Sequence, residues 1–252
     1  MRIKPFILFL LIVIMVLPFV VLPFISIVTG YRFPQLWPND FTFSHWVSLF
    51  EQRTDLTDSI VVSLLLSITV ALTVTVLGFF TSRHIAYHPH KNRWLLMAYF
   101  PFILSPVVFG VLLLYYFINF NLNGQLLGVL IAQILLIYPF TIILFTNFWD
   151  ERLKAYEDLV TTLGGNVRQT FYKVLLPISK NIILLCLFQT FLLSWFEYGL
   201  TSIIGLGKVE TLTIKVFYFV GEANIYLAAL AACLLILPPI FMLYINKKWV
   251  LR

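Results

Sequence analysis

The fold is decided by the stretch WLLMAYFPFILSPVVFGVLLLYYFINFNLNGQLLGVLIAQILLIYPFTIILFTNFW, residues 94–149. Its 56 residues include no Asp, Glu, Lys or Arg. An α-helix crosses the ~30 Å hydrocarbon core of a bilayer with about 20 apolar residues, so this stretch is long enough for two spans. A polar group divides it and predicts a short turn outside the hydrocarbon; its members are Asn119, Asn121, Asn123, Gly124 and Gln125.

Uncharged stretches on both sides of this one extend the same pattern along the chain. Residues 5–31, 59–82 and 223–246 also contain no Asp, Glu, Lys or Arg. Of all 252 residues, 61% are hydrophobic and only 11% are charged, which excludes a soluble enzyme. We therefore predict an all-α integral membrane protein forming one domain over residues 1–252. Its six transmembrane helices are expected at about 5–28, 58–82, 94–118, 126–148, 181–204 and 223–246.

The basic residues predict the orientation of these spans. With the amino terminus inside, thirteen of the seventeen Lys and Arg residues fall on the cytoplasmic side. Both termini are then cytoplasmic, and the outside keeps only Arg32, Arg53, Lys208 and Lys215. The net charge of +6 does not indicate a nucleic-acid partner, because the basic residues flank apolar runs instead of forming one exposed face.

Few residues suggest metal or redox chemistry. Cys186 and Cys233 both lie inside apolar runs and are expected to be buried thiols. His84, His88 and His90 lie among basic residues, so we favour a loop that faces anionic membrane lipids over a metal site. We predict neither a metal site nor a catalytic residue in this chain.

Two loops are longer than a simple connection requires. The outer segment 30–57 is rich in aromatic residues, and Ser44 before residues 45–52 predicts a short interfacial helix. The inner segment 150–180 carries nine charged residues, which suggests contact with a partner protein. Within it we predict a helix, a break at Gly164 and Gly165, and a second helix, with Glu157 and Asp158 near the beginning of the first. Helical spacing places an apolar knob on its surface, formed by Leu159, Val160 and Leu163.

The segment 158–177 resembles the Glu-Ala-Ala loop of permease subunits from bacterial ATP-binding-cassette importers of the type I fold. That pattern has an acidic residue, two small residues, a Gly six places on, and Leu-Pro a further twelve to thirteen. Asp158, Gly164, Leu176 and Pro177 match this spacing, and Phe171 takes the place of an aromatic residue. Asp158 replaces the usual Glu, while Leu159 and Val160 replace the two alanines.

Further stretches extend the resemblance to most of the chain. Phe-Thr-Phe-Ser-His-Trp at 41–46, a span beginning near Asp58, basic residues around Arg83 and the segment 197–201 occur in the same order in that family. The resemblance implies a type I importer permease fold in which spans two to six form the shared core. It also implies that 158–165 is the coupling helix, with an ATPase-coupling set of Asp158, Leu159, Val160, Leu163, Gly164, Gly165, Phe171 and Pro177.

The resemblance also implies partners and a location. The chain lacks the Gly-x-x-x-x-Gly-Lys-Ser/Thr phosphate loop, so ATP and Mg²⁺ would be bound by a separate ATP-binding subunit, present in two copies. We expect no cofactor in this chain and no enzymatic activity of its own. A second permease subunit, identical or homologous, and an extracytoplasmic solute-binding protein complete the expected complex. It would lie among the lipids of the bacterial cytoplasmic membrane as a multi-pass protein.

Glu197 is an acidic residue within an apolar stretch and a candidate for the solute pathway. Seventeen residues beyond Lys180, a continuous helix would place it ~25 Å deep, toward the outer mouth. We group it with Tyr198 and Gln189; the alternatives are an ion pair with Lys208 or Lys215, or contact with lipid headgroups. The region 197–215 most resembles permeases for oxyanions, ferric iron, thiamine or polyamines, among which the sequence does not choose.

Two rival functions are weighed against the importer. A secondary transporter or half-transporter driven by an ion gradient predicts intramembrane carboxylates or broken helices, and Glu197 is the residue that fits. An integral-membrane enzyme predicts a cluster of His and acidic residues near one membrane face, and the loop around His84 contains no carboxylate.

Overall fold

The computed structural model describes residues 5–29, 40–44, 46–47 and 55–250. These residues are almost entirely helical, apart from a two-residue antiparallel pairing of β1 with β2. The elements are α1 Pro5–Ser26, β1 Val28–Thr29, β2 Asp40–Phe41, α2 Asp55–Ala86, α3 Lys91–Ile103, α4 Pro106–Asn119, α5 Leu126–Thr146, α6 Glu151–Thr162, α7 Val167–Thr170, a π-helical turn Phe171–Leu175, α8 Leu176–Trp195, α9 Gly199–Gly205, α10 Leu212–Gly221 and α11 Ile225–Val250.

Five helical segments in the described ranges are long and apolar enough to cross a membrane. They are Phe9–Ser26, Asp55–Ala86, Leu126–Thr146, Val167–Trp195 and Ile225–Tyr244. The pair α3 and α4 raises the number to six if it forms one span. This confirms the prediction of an all-α, multi-pass membrane protein, whereas the count of six spans and their orientation stay predictions.

The predicted third span, 94–118, is not a continuous helix. Helices α3 and α4 meet at a bend of 98°. Leu104 is extended, and the Ser105 hydroxyl caps α4 by accepting a hydrogen bond from the Val108 N–H at 3.3 Å. Pro106 supplies the physical reason for the break, because it disfavours a helical conformation at Ser105 and lacks the N–H that would continue the helix.

The predicted fifth span, 181–204, has different ends. Helix α8 begins at Leu176 and ends at Trp195, and the chain breaks before the short helix α9. Glu197 therefore lies in a break between helices and not inside a continuous one. The predicted interfacial helix at 45–52 lies mostly outside the described residues, although Trp46 and Val47 bond back to the Phe43 carbonyl as in a helical turn.

The described residues divide into two compact units. The first comprises Met1–Ser63 with Glu210–Ile240, and the second comprises Leu64–Val209 with Phe241–Arg252. In the first unit, the Trp46 indole donates a hydrogen bond to the Ser26 hydroxyl at 3.1 Å. Lys215 is buried there and pairs with Glu210 at 2.6 Å and with Asp55 at 3.8 Å. The prediction of a single domain stays a prediction.

In the second unit, helices α2 and α5 approach closely at Gly78. A Cβ atom placed on Gly78 would lie 1.9 Å from the Thr141 hydroxyl oxygen. Thr141 is fully buried, and its hydroxyl lies 3.1 Å from the Val74 carbonyl and 2.7 Å from that of Tyr138. Small residues at such crossings let two backbones pack where no hydrophobic effect drives helices together.

Replacing Gly78 with Ala should therefore destabilise the second unit by about 1–3 kcal/mol, because the methyl group overlaps Thr141. The measurement is the thermal unfolding midpoint of the purified protein in detergent. Gly221→Ala is the matched control, since a Cβ atom there meets nothing within 4 Å. Equal midpoints for the two variants would contradict this packing.

Candidate functional site

The predicted coupling segment begins with a capped helix and a glycine turn. The Asp150 carboxylate accepts the Leu153 N–H at 2.9 Å and so caps α6. At the other end, the Gly164 N–H donates to the Thr161 carbonyl at 3.0 Å and the Gly165 N–H donates to Val160 at 2.9 Å. Gly164 has a φ of +78°, so this is a Schellman turn of the kind that glycine favours. The predicted helix and glycine break are present.

One detail of that prediction is wrong. Helix α6 begins at Glu151, so Glu157 and Asp158 lie in its second half and not near its beginning. The residue that interacts with the amino-terminal end of the helix is Asp150. Four acidic residues occur within nine positions, so charge alone does not distinguish the residues that begin the helix.

The second half of the segment runs without interruption into α8. Asn166 and Gln169 form a reciprocal capping box, with bonds of 2.8 and 3.0 Å, that starts α7. A π-helical turn follows at Phe171–Leu175, closed by a bond from the Leu176 N–H to the Phe171 carbonyl. Pro177 follows this turn, and since proline lacks an N–H and crowds the preceding turn, a local change of helical pitch is expected beside it.

The tip of the segment leaves apolar side chains exposed. Leu163 is 78% exposed and Val167 is 86% exposed, on opposite sides of the glycine turn. Leu159 and Asp158 are also exposed, whereas Val160 is half-buried against Gly165. The exposed apolar surface therefore includes Val167, which was not predicted because it lies beyond the break. Val160 contributes less to this surface than predicted.

Three polar contacts join the chain at and just before the beginning of the segment to the end of α2 and to Tyr87, the next residue. The Arg83 guanidinium donates to both carboxylate oxygens of Glu157, with Nε 3.0 Å from Oε1 and Nη2 in a closer contact with Oε2. The Trp149 indole donates to the Ser82 hydroxyl at 2.9 Å. The Tyr87 hydroxyl donates to the Asp150 carbonyl at 3.0 Å. Burial, and secondarily the charge of Glu157, raises the pKa of Tyr87 to about 12, so this donor stays protonated at neutral pH.

An apolar cluster reinforces this attachment. Its buried members come from α2, α5, the 149–153 region, the π turn and α8, and they are Phe79, Phe145, Trp149, Leu153, Leu175 and Cys186. Phe171, predicted for the coupling set, packs against the cluster and stacks on Phe80 with ring centroids 5.7 Å apart. Side chains before and after the exposed tip therefore lie in one core with the ends of three long helices.

The three residues predicted for the solute pathway line one cavity of about 760 Å³. Gln189, Glu197 and Tyr198 lie there with side chains from the bend between α3 and α4 and from α5. The full lining is Pro101, Phe102, Leu104, Pro106, Val107, Leu136, Ile137, Phe140, Gln189, Leu192, Leu193, Phe196, Glu197, Tyr198 and Gly199. All of them belong to the second unit.

Glu197 ends a buried chain of hydrogen bonds. Its Oε1 accepts the Leu200 N–H at 2.7 Å, and its Oε2 accepts the Thr201 N–H at 2.8 Å and the Thr201 hydroxyl. Gln133 donates to the same Thr201 hydroxyl at 2.9 Å and accepts from Ser194 at 2.5 Å. Glu197 thus caps α9, a role absent from the alternatives weighed on the sequence. The alternative partner Lys215 pairs with Glu210 and Asp55.

Other chemistry-bearing residues form no further centre in the described ranges. No group of three His, Cys, Asp or Glu residues in those ranges is placed to hold a metal ion. The rings of His84 and His90 lie 5.8 and 5.7 Å from that of His88. Cys186 and Cys233 are free and buried. Comparison of the chain with protein-family models and with curated proteins found no match.

Removing the contact between Arg83 and Glu157 should loosen α6. We expect Arg83→Gln or Glu157→Gln to cost about 1 kcal/mol and to raise amide hydrogen exchange over 151–162, because a bidentate pair is lost. The reversed pair Arg83→Glu with Glu157→Arg should restore part of the protection. Arg152→Gln, an exposed change on the same helix, is the control. Unchanged exchange in both single variants would show that the pair does not hold the helix.

Proposed function

We propose that this chain is the transmembrane permease subunit of an ATP-driven importer of the ATP-binding-cassette type, forming half of a translocation pathway. The observation that carries the proposal is the 150–180 segment. It offers an exposed apolar tip, and its two ends lie in one core with α2, α5 and α8. A surface loop without a partner would gain nothing from exposing Leu163 and Val167, since each side chain gains about 1.5–3 kcal/mol on full burial.

The proposed mechanism begins with the tip seated in a cleft of the ATPase subunit. ATP binding and hydrolysis in that subunit would move the tip, and the Arg83 pair and the apolar cluster would pass the displacement to three long helices. Packed cores transmit displacement because they do not deform continuously. Two permease chains would then alternate between outward-open and inward-open forms around a central pathway.

The remaining partners follow from the same proposal. The ATPase would be present in two copies and would hold ATP and Mg²⁺, because this chain lacks a phosphate loop. The excess of basic residues supports an orientation with the 150–180 segment in the cytoplasm, and ATP would be available to the partner there. A second permease subunit and an extracytoplasmic binding protein that delivers a small hydrophilic solute complete the complex.

Leu163→Asp is the direct test of the tip. The variant should insert and fold normally but lose more than about tenfold in ATP-driven uptake, because an uncompensated charge would enter the apolar contact. Leu163→Met keeps the contact apolar and is the control. The measurements are co-purification of the ATPase with the tagged chain and uptake in reconstituted vesicles. Wild-type uptake by well-expressed Leu163→Asp protein, or absence of any ATPase from the wild-type preparation, would reject the proposal.

Gly164→Pro tests the turn separately from the tip surface. Proline cannot adopt the φ of +78° found at Gly164, and it removes the N–H bonded to Thr161. We expect ATPase activity that no longer drives uptake, while Gly164→Asn, which tolerates a positive φ, should retain most coupling. Equal coupling in the two variants would show that the turn geometry is not needed.

A second candidate is a secondary transporter driven by an ion gradient. The break between α3 and α4 and the buried carboxylate of Glu197 favour it, since discontinuous helices with ionisable groups are features of that class. The two functions differ in their energy source. Uptake by vesicles that contain this chain alone, abolished by a protonophore and indifferent to ATP, would select the transporter.

A further inference from the structure

The cavity lined by Gln189, Glu197 and Tyr198 is almost entirely apolar and has one acidic side chain. Nine of its fifteen lining residues are aliphatic or proline or glycine, and four are aromatic, namely Phe102, Phe140, Phe196 and Tyr198. Glu197 is the one acidic residue in the lining, Gln189 is the one amide, and no Lys, Arg or His is included. A volume of about 760 Å³ lies in the range that holds small organic ligands.

Glu197 contributes a negative charge that no cation in the described residues balances at close range. The residue is only 8% exposed, and none of the ion pairs within 4 Å in the described ranges includes it. The carboxylate accepts three hydrogen bonds, and a carboxylate has about four acceptor positions. Glu197 also lines the cavity, in a setting where an isolated charge is costly.

We propose that the cavity binds a singly charged organic cation with a sizeable apolar or aromatic body. The carboxylate of Glu197 would balance the one positive charge, and the aromatic lining would favour a weakly hydrated cation over a strongly hydrated one. The apolar walls would receive the body of the ligand. This inference rests on the proposed function and narrows the solute class.

The same lining disfavours three of the four solute classes that the resemblance suggests. An oxyanion would meet a carboxylate and no basic side chain. Ferric iron would find one carboxylate, most of whose acceptor positions are already used, where a hard trivalent ion needs several oxygen ligands. A linear polyamine carries more positive charges than one carboxylate balances. Thiamine, with one cationic thiazolium ring and an aromatic body, fits the charge and the walls.

The test measures binding to the full-length chain in lipid nanodiscs, without the ATPase. Thiamine, spermidine, phosphate and ferric citrate are the four probes, and empty nanodiscs correct for partition into lipid. We expect saturable binding of thiamine at least tenfold tighter than binding of the other three. Tighter binding of phosphate, ferric citrate or spermidine, or no saturable binding of any probe, would overturn the inference.

Two variants assign the binding to the cavity. Tyr198→Ala should weaken thiamine binding about five- to tenfold, while Tyr198→Phe, which keeps the ring, should bind like wild type. Glu197→Gln should abolish most binding, and its thermal midpoint is measured because the change also alters the cap of α9. Tyr198→Ala carries the test if Glu197→Gln does not fold. Full binding by Tyr198→Ala, or by a folded Glu197→Gln protein, would overturn the inference.

The outcome is separable from that of the proposed function. Binding of thiamine by the chain with no co-purifying ATPase would reject the proposed importer function and support the proposed ligand class. An ATPase complex that transports an oxyanion would keep the importer and reject the ligand class.

Discussion

A helix that breaks inside hydrocarbon leaves backbone N–H groups without water, and each such group must find an acceptor in the protein. In the second unit, side chains supply such acceptors at two helix breaks. Ser105 accepts an N–H at the beginning of α4, and Glu197 accepts two at the beginning of α9. These caps stabilise the bend at Leu104 and the break after Trp195. Both breaks contribute residues to the cavity, so the caps and the candidate ligand site have a common origin.

The 150–180 segment caps its own helix ends with short-range elements. Asp150, the Schellman turn at Gly164 and Gly165, and the capping box of Asn166 pair the backbone groups around its helix ends. The tip can therefore project Leu163 and Val167 without leaving many local hydrogen bonds unmade. Its attachment is different in kind, since it depends on aromatic packing and on an ion pair between residues 74 positions apart. Local rigidity and a distant attachment together suit a segment that transmits force.

The long uncharged stretches were sufficient to predict most of the long helices, because an apolar run of about 20 residues in a membrane has few stable conformations other than a helix. The bend in the third span was harder to predict, although Pro101 and Pro106 are visible in the sequence. Pro18, Pro23, Pro139, Pro238 and Pro239 all lie inside continuous helices, so proline alone does not mark a break in this chain. The pairing of Arg83 with Glu157 was also not predicted. Several basic and acidic residues were predicted on the same side of the membrane, and the sequence does not show which of them form a pair. The capping role of Glu197 was not predicted, because it depends on α8 ending at Trp195 and on a new helix beginning at Gly199.

The π turn at Phe171–Leu175 has a consequence for the direction of the tip. A π turn contains one residue more than an α turn, and each α-helical residue corresponds to about 100° of rotation. The extra residue therefore sets the rotation of α7 about the helix axis relative to α8. In a homologous chain with a single insertion or deletion here, the tip would project from α8 in a different direction, even if every other side chain were identical.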